Sequence, residues 1–245
     1  DVFGYCKIHI TFIISCRKKV FKNMTYTFSF NDLIFMFQGA VITFLLTIVS
    51  GAIGTFLGFL IGWGRSVNNK ILYYTLGVYI DVVRTIPLIL QFVLFNSFMA
   101  IMGYPMSPFI SGIITLSLYI SGYVSEVITA GIKSVPIVTR KSARGLGMTY
   151  MQDFINVVIP IGVKNVLPSW VGLMIGLMKD TSLIAVMGAT PPELLRSSQI
   201  IINRIHEPIF ILLGAGVFYY VMCYSITRLA DIYENKEKRK MAEIR

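Results

Sequence analysis

The chain has 245 residues, of which 55% are hydrophobic and only 14% are charged, and its mean hydropathy is +0.71. A soluble domain carries roughly a quarter charged residues, so this deficit excludes an ordinary soluble protein and indicates a lipid environment. The formal net charge of +10 could indicate a nucleic-acid-binding protein, but the basic residues lie in short clusters between apolar runs, as cytoplasmic loops of membrane proteins do.

Residues 1–23 differ in composition from the rest of the chain. They contain two of the three cysteines and five of the 22 Lys and Arg residues, and their apolar stretch 8–16 is too short to span a bilayer. A signal peptide would require a small-residue cleavage site after that stretch, and the sequence has none there. Because Met24 opens a stretch typical of a start, we expect residues 1–23 to be an upstream extension and 24–36 to be a periplasmic lead-in. A basic amphipathic anchor is the alternative for residues 1–23.

Five apolar runs come next, each long enough for a helix to cross the roughly 30 Å hydrocarbon layer at about 1.5 Å per residue. Their predicted bounds are 37–62, 71 to about 102, about 109–132, about 154–188 and about 208–230. The second run is interrupted by Asp81, Arg84 and Pro87, so 71–84 is predicted as an interfacial lead-in and 86–102 as the crossing part. Breaks are also expected at Pro160 and Pro168 in the fourth run.

The pattern within these runs is helical. Strand alternation is absent, and Gly54, Gly58 and Gly62 form a small-xxx-small pattern that favours close packing of helices. We therefore predict an all-α polytopic bundle of about five transmembrane helices over residues 37–232, followed by a basic tail, 233–245.

Charge predicts the orientation of this bundle. The connections after the first and third runs and the tail together hold eleven basic residues: Arg65, Lys70, Lys133, Arg140, Lys141, Arg144, Lys236, Lys238, Arg239, Lys240 and Arg245. The opposite connections, 103–108 and about 189–207, hold only Arg196 and Arg204. Since basic loops stay in the cytoplasm, we expect the N-terminus outside and the C-terminus inside.

The long loop between the third and fourth runs contains a predicted short helix. Pro136 ends the preceding helix, residues 139–147 can form a short one, and Gly147 is well placed to end it. From the residues alone, two interpretations stay open. The helix could be a surface for a cytoplasmic partner, or the segment could be a plain positive-inside loop.

This loop resembles the EAA loop of binding-protein-dependent ABC permeases. Lys141-Ser142-Ala143 stands where EAA would, Gly147 matches the Gly that comes after it, and Val157-Val-Ile-Pro160 matches the I-x-L-P close. Further segments resemble the polar-amino-acid branch: Arg84-Thr-Ile-Pro87-Leu for R-G-T-P-L, Ala130-Gly-Ile-Lys-Ser-Val-Pro136 for G-G-I-x-S-I-P, Lys179-Asp-Thr-Ser-Leu183 for K-D-T-S-L, and Glu193-Leu-Leu195 for E-L-L. The resemblance covers about residues 38–235.

The resemblance implies an importer that works by alternating access. Two permease subunits, identical or similar, form the pore, and two cytosolic ATPases contact the loop at Lys141, Ser142, Ala143, Arg144 and Gly147. A loaded solute-binding protein docks on 103–108 and 189–207 and delivers an amino acid, which is expected to be polar. The chain itself is expected to bind no cofactor, with ATP and Mg²⁺ on the partner ATPase; its other partner is the lipid of the bacterial inner membrane, and nucleic acid is not expected.

Some residues depart from the family pattern. Lys141 replaces the usual acidic residue of the loop, so its contact with the ATPase is expected to differ in charge. Gly145 replaces a helix-favouring Ala, at a cost of about 1 kcal/mol of local helix stability. Thr85 replaces a Gly, and Tyr119 stands where many members have Asn.

Charges inside the membrane are costly and usually face a cavity or a partner. Lys179-Asp180 lies late in the fourth run and Glu126 late in the third, so both are candidates for a translocation path; a structural ion pair or a helix end at the interface is the alternative. The full predicted path is Tyr119, Glu126, Lys179, Asp180, Thr181 and Ser182. The predicted gating or hinge positions are Arg84, Thr85, Pro87 and Pro160.

Enzyme motifs are missing from the sequence. His206-Glu207 lacks the second His of a zincin, no G-x-x-x-x-G-K-[ST] occurs, and Cys6, Cys16 and Cys223 have no metal or redox spacing. We therefore expect no catalytic or metal site. The alternatives to an amino acid importer are a permease of the methionine or phosphonate type, a non-transporting membrane sensor or assembly subunit, and a secondary transporter. The last is disfavoured because five spans give no inverted repeat.

Overall fold

The computed structural model describes residues 28–67 and 69–243, with side chains described through residue 236. The predictions for residues 1–23 lie outside these ranges. The helices are α1 (Phe30–Ser66), α2 (Lys70–Thr85), α3 (Leu88–Ile101), α4 (Pro108–Ser134), α5 (Ile137–Gly145), α6 (Tyr150–Asp153), α7 (Ile159–Asp180), α8 (Leu194–Ile205) and α9 (Pro208–Glu243). A π-helical turn, Phe154–Val158, joins α6 to α7, and a 3-10 helix, Thr181–Met187, continues α7.

The bundle contains the expected membrane spans. Four helical stretches are long and apolar enough to cross a bilayer: Phe30–Ser66, Pro108–Ser134, Tyr150–Met187 and Pro208–Lys236. The pair α2 and α3, bent by 107° at their junction, forms a fifth when taken as one broken span. This confirms an all-α fold of about five transmembrane helices.

Helices α1 and α4 form the centre of the bundle, and three glycines of α1 set their spacing. A Cβ atom added at Gly54, Gly58 or Gly62 would lie 2.7–2.9 Å from the carbonyl oxygen of Ser117, Ser121 or Ser125, respectively. The backbones therefore approach as closely as small residues allow. Since the contacts advance in the same direction along both chains, α1 and α4 run parallel, and α2 and α3 return the chain to the side where α1 begins.

The break between α2 and α3 lies where proline predicts it. Pro87 begins α3, and Ile86 before it is extended, as the residue preceding a proline prefers to be. Gln91 donates from Nε2 to the carbonyl oxygens of Val83 at 2.7 Å and Ile86 at 2.8 Å, which satisfies the carbonyls that the break frees. The predicted break is confirmed. The Tyr79 hydroxyl lies 2.8 Å from Ser121 Oγ in the middle of α4, so α2 is part of the bundle.

The first span begins earlier than its apolar run. Helix α1 starts at Phe30, inside the stretch 24–36 predicted as a lead-in, because Ser29 and Asp32 form a capping box. Asp32 also pairs with Arg204 near the end of α8. The predicted boundary at residue 37 is wrong because it follows hydropathy, whereas capping by polar side chains sets the start of the helix.

The other two boundary corrections concern the fourth and fifth spans. Pro168 lies inside the continuous helix α7, so the break predicted there is wrong. Near Pro160 the irregularity is the π-helical turn that ends at Val158, just before the proline. Helix α9 runs on to Glu243, so the stretch predicted as a tail from residue 233 is helical to that point.

Helix α8 folds back into the end of the bundle at which α1 begins. The Leu194 amide at its start donates to Thr43 Oγ1 at 3.1 Å, and Arg204 near its end reaches Asp32 at the start of α1. α8 therefore runs antiparallel to the first half of α1. It packs through Leu194 and Ile201 in a core cluster that also contains Met36 and Ile211.

Candidate functional site

The first candidate site is the short helix α5 in the loop between α4 and α7. Pro136 begins it, and buried Val135 and Ala143 attach it to the bundle. The side chains of Lys141, Ser142 and Arg144 are exposed. The structure thus places Lys141, Ser142, Ala143 and Arg144 on one helix, whose bounds lie two residues nearer the N-terminus than the predicted 139–147; Gly147 lies just beyond its end.

Gly147 ends this helical segment through a Schellman motif. Its φ of +89° is in the left-handed region, which favours glycine. The Gly147 amide donates to the Arg144 carbonyl at 3.0 Å, and the Met148 amide donates to the Ala143 carbonyl at 3.3 Å. The helix proper ends at Gly145, and Gly147 turns the chain toward α6.

Asp153 attaches α5 to the start of the fourth span, and sequence reasoning missed it. Its carboxylate is fully buried and accepts from Arg140 Nε at 3.1 Å. Arg144 also packs on this element, with its guanidinium 5.4 Å from the centre of the Tyr150 ring. Asp153 is the one acidic residue between Lys133 and Phe154, and a lone acid in a basic loop was the available signal.

The second candidate site lies within the membrane spans. Arg84 at the end of α2 forms an ion pair with Glu126 of α4, and its guanidinium lies 5.1 Å from the centre of the Tyr123 ring. The two charged side chains are 37% and 43% exposed, although their helices belong to membrane spans. The structure thus brings together a predicted gating residue and a predicted path residue.

Tyr119 extends this polar surface along α4. Its ring centre lies 5.0 Å from that of Tyr123, and its hydroxyl lies within electrostatic reach of Asp180. Positions 119, 123 and 126 share one face of a helix because they are spaced by four and three residues. We call Tyr119, Tyr123, Glu126, Arg84 and Asp180 the polar stripe.

The segment 179–182 marks the change from α7 to the 3-10 helix. Lys179 is exposed, whereas Asp180 and Ser182 are half-buried. Thr181 is buried, and its hydroxyl donates to the Met178 carbonyl at 2.7 Å. Pro160 lies at the other end of α7, about 30 Å away at 1.5 Å per residue, and does not belong to this site. Thr85 and Pro87 lie at the α2–α3 break, where the Thr85 hydroxyl donates to the Asp81 carbonyl at 2.6 Å.

Glu193 is a further polar residue, and the sequence analysis did not assign it to a functional site. It caps α8 by accepting from the amides of Leu195 at 2.7 Å and Arg196 at 2.8 Å, and the Tyr219 hydroxyl donates to it at 3.4 Å. The side chain is buried, and this burial raises the pKa of its carboxyl to about 7. The Glu-Leu-Leu motif was the available signal, but its burial depends on Tyr219, which lies 26 residues away.

Within residues 28–67 and 69–243, no group of three or more His, Cys, Asp or Glu side chains is placed to hold a metal ion. The charged groups of the two sites form a projecting cationic helix attached to one end of a span, and a polar surface along helices that cross the membrane.

Comparison with known proteins places this arrangement in a family. Residues 54–239 match the family of binding-protein-dependent transport system inner membrane components. The L-cystine transport system permease protein TcyB of Bacillus subtilis is 30% identical over 207 residues, which cover 84% of this chain and 87% of that protein. The arginine transport system permease protein ArtQ of Bacillus subtilis is 26% identical over 217 residues, which cover 88% of this chain and 98% of that protein.

Solved structures agree with this match. An amino acid ABC transporter with histidines superposes with a TM-score of 0.77 at 27% identity, covering 86% of this chain and 99% of that one. The methionine ABC transporter MetNI in an inward-facing form gives a TM-score of 0.72 at 20% identity, a likeness of fold alone. Since the family match covers most of the chain and the bundle supplies its membrane spans, the chain belongs to the binding-protein-dependent transport system inner membrane components, and is a transport component rather than an enzyme.

Proposed function

We propose that the chain is the permease subunit through which an amino acid, delivered by a solute-binding protein, crosses the inner membrane under the control of a separate ATPase. The observation that carries the proposal is the polar stripe: a half-exposed ion pair, two tyrosines and a carboxylate on membrane-spanning helices. Lipid would solvate these groups poorly, so their exposed faces require a water-filled path or a second permease subunit. The named relatives and the solved transporter support an amino acid as the substrate.

The stripe suits a zwitterion. The Asp180 carboxylate offers an acceptor for an α-ammonium group, and the hydroxyls of Tyr119 and Ser182 offer further hydrogen bonds along the path. Asp180 also lies where α7 changes to a 3-10 helix, and transporters often place substrate sites at irregular points of their membrane helices. Lys179, Thr181 and Glu126 complete the proposed path, and Arg84, Thr85 and Pro87 complete the proposed hinge.

Helix α5 is the proposed contact with the ATPase. It projects from the bundle, carries exposed Lys141 and Arg144, and is fixed to the fourth span through Arg140 and Asp153. A push on α5 is therefore transmitted directly to α6 and the π-helical turn below α7. Binding of ATP between two ATPase subunits shifts the permease between its inward-open and outward-open states by its differential affinity for them.

The substitution Asp180→Asn tests the proposed path. We expect it to lower ATP-driven uptake of a panel of radiolabelled polar amino acids at least tenfold in vesicles that contain the ATPase and the binding protein. Co-purification of the ATPase should be unchanged, since Asp180 is far from α5. Asp231→Asn, which removes an exposed carboxylate on α9, is the matched control.

If the Asp180→Asn variant took up amino acids as fast as the unmodified chain, Asp180 would not be part of the translocation path. Failure of any ATPase to co-purify, together with absence of ATP-driven uptake of every amino acid in the panel, would contradict the importer proposal itself.

A further inference from the structure

A cationic cavity lies at the cytoplasmic end of the bundle and borders the base of α5. It has a volume of about 540 Å³ and is bordered by the end of α1, the start of α2, the end of α4 and the start of α5. Four basic residues line it: Arg65, Lys70, Lys133 and Arg140. None of the described residues that line the cavity is acidic, so it concentrates positive charge.

The positively charged guanidinium of Arg65 lies beside this cavity. Its guanidinium lies 4.9 Å from the centre of the Tyr73 ring, and its Nε is buried without a hydrogen-bond partner within the described part of the chain. A buried donor without a partner carries a desolvation cost that an anion in the cavity would offset. Arg140 is partly neutralised by Asp153, so Arg65, Lys70 and Lys133 supply most of the attraction for an anion.

The surface beside the cavity is apolar and exposed. Ile71, Tyr74 and Val78, which share one face of α2, are 80%, 69% and 63% exposed. Tyr73 and Tyr74 also line the cavity, and tyrosines favour the membrane–water interface. A soluble phosphate or an acidic segment of a partner protein would use the charges alone, whereas a lipid uses both the charges and this apolar face.

We propose that the cavity binds a phosphate-bearing anion, namely the headgroup of an acidic phospholipid of the cytoplasmic leaflet, with its acyl chains along α2. The cytoplasmic placement rests on the proposed function. Basic pockets between membrane helices on this side commonly take such headgroups. Because Lys133 and Arg140 flank the junction of α4 and α5, the bound headgroup would link the α1–α2 connection to the base of the proposed coupling helix.

Native mass spectrometry of the full chain, purified in mild detergent with any bound ATPase retained, tests this proposal. The probes are dioleoyl phosphatidylglycerol, dioleoyl phosphatidylcholine and glycerol 3-phosphate. We expect phosphatidylglycerol to bind at least tenfold more tightly than phosphatidylcholine. The double variant Lys70→Gln/Lys133→Gln should weaken phosphatidylglycerol binding about twenty-five-fold, since each basic residue near the headgroup contributes about fivefold.

Arg228→Gln is the matched control, because it removes a basic residue of α9 outside the cavity, and thermal unfolding checks that each variant is folded. An equal loss of phosphatidylglycerol binding in Arg228→Gln would overturn the proposal by showing a general charge effect. Displacement of the lipid by submillimolar glycerol 3-phosphate would assign the cavity to a soluble phosphate, and equal binding of the two lipids would refute a headgroup site. The readout is lipid binding, so failure here leaves ATP-driven uptake as an independent test of the proposed function.

Discussion

Glu193 links protonation to stability at the level of one residue. Burial raises the pKa of its carboxyl from 4.5 to about 7 in the folded chain, so the folded state keeps a proton that the unfolded state has already released between these values. The contribution of protonated Glu193 to stability is therefore fully present below pH 4.5 and is lost as the pH rises through about 7.

We predict that Glu193→Gln flattens the pH dependence of stability in this window, because glutamine does not titrate. Thermal unfolding of the purified chain at pH 5, 6, 7 and 8 measures the effect. The difference in melting temperature between pH 5 and pH 8 should be smaller in the variant than in the unmodified chain. Parallel curves would show that Glu193 does not titrate in this range.

Residues of the two sites differed in how far sequence could predict them. Glu126 and Asp180 were predicted as path residues because a charged side chain inside an apolar run is costly, and Gly147 was predicted to end the short helix because glycine readily adopts the left-handed backbone of a helix end. Asp153 and Glu193 were missed as site residues. Their burial depends on Arg140 and Tyr219, and such pairings across elements cannot be read from local pattern.

At the level of the element, Gly147 should matter more than its neighbour Gly145. Gly147 has a φ of +89°, whereas Gly145 is the last residue of the helix, and a Cβ added at either would meet no atom within 4 Å. We predict that Gly147→Val disrupts ATPase association or uptake at least tenfold, because the left-handed backbone strongly penalises a β-branched side chain there. Gly145→Ala, the control, should keep both activities.

Co-purification of the ATPase and uptake in vesicles measure these variants, with thermal unfolding to confirm an intact bundle. If Gly147→Val behaved like Gly145→Ala in both assays, the assignment of α5 and its turn as the coupling element would be wrong.

The glycine seam between α1 and α4 makes a prediction about packing. In Gly54→Ala, the new methyl group would lie 2.1 Å from Ile120 Cγ2 and 2.8 Å from the Ser117 carbonyl oxygen, so the helices must separate. We expect a loss of roughly 1–3 kcal/mol in the free energy of unfolding. Gly77→Ala in α2 is the control, since its Cβ would meet nothing within 4 Å, and it should be neutral or stabilising. Equal melting temperatures for the two variants in detergent would contradict close packing at the seam.

Element types were more predictable than element ends. Hydropathy located the spans, and Pro87 located the break between α2 and α3. The start of α1 was misplaced because Ser29 and Asp32 cap it, and Pro168 was misread because an uninterrupted helix can hold a proline when neighbouring groups satisfy the freed carbonyl.

For the whole molecule, the predicted orientation can be measured directly. In a background with Cys6, Cys16 and Cys223 replaced by serine, Tyr104→Cys should react with a membrane-impermeant maleimide added to intact cells. Val138→Cys in α5 should react only after the membrane is opened. Both side chains are well exposed, at 71% and 75%, so access to the reagent depends on the side of the membrane. The reverse labelling pattern would show that the orientation of the chain in the membrane is opposite to the predicted one.

The five-span architecture could be predicted from sequence because composition and charge act over whole helices and tolerate local errors. The return of α8 to the end of the bundle at which α1 begins could not be predicted. It depends on Leu194 meeting Thr43, and on Arg204 meeting Asp32, across more than 150 residues.

The parallel pairing of α1 and α4 also has a consequence for biosynthesis. Each seam contact joins residues 63 positions apart, as Gly54 and Ser117 do, with the whole of α2 and α3 between them. A ribosome therefore delivers α1 to the bilayer well before its packing partner has been made. Until residues 108–134 emerge, the glycine face of α1 must be covered by lipid or by an insertion factor, so assembly of the centre of the bundle is a late event in membrane integration.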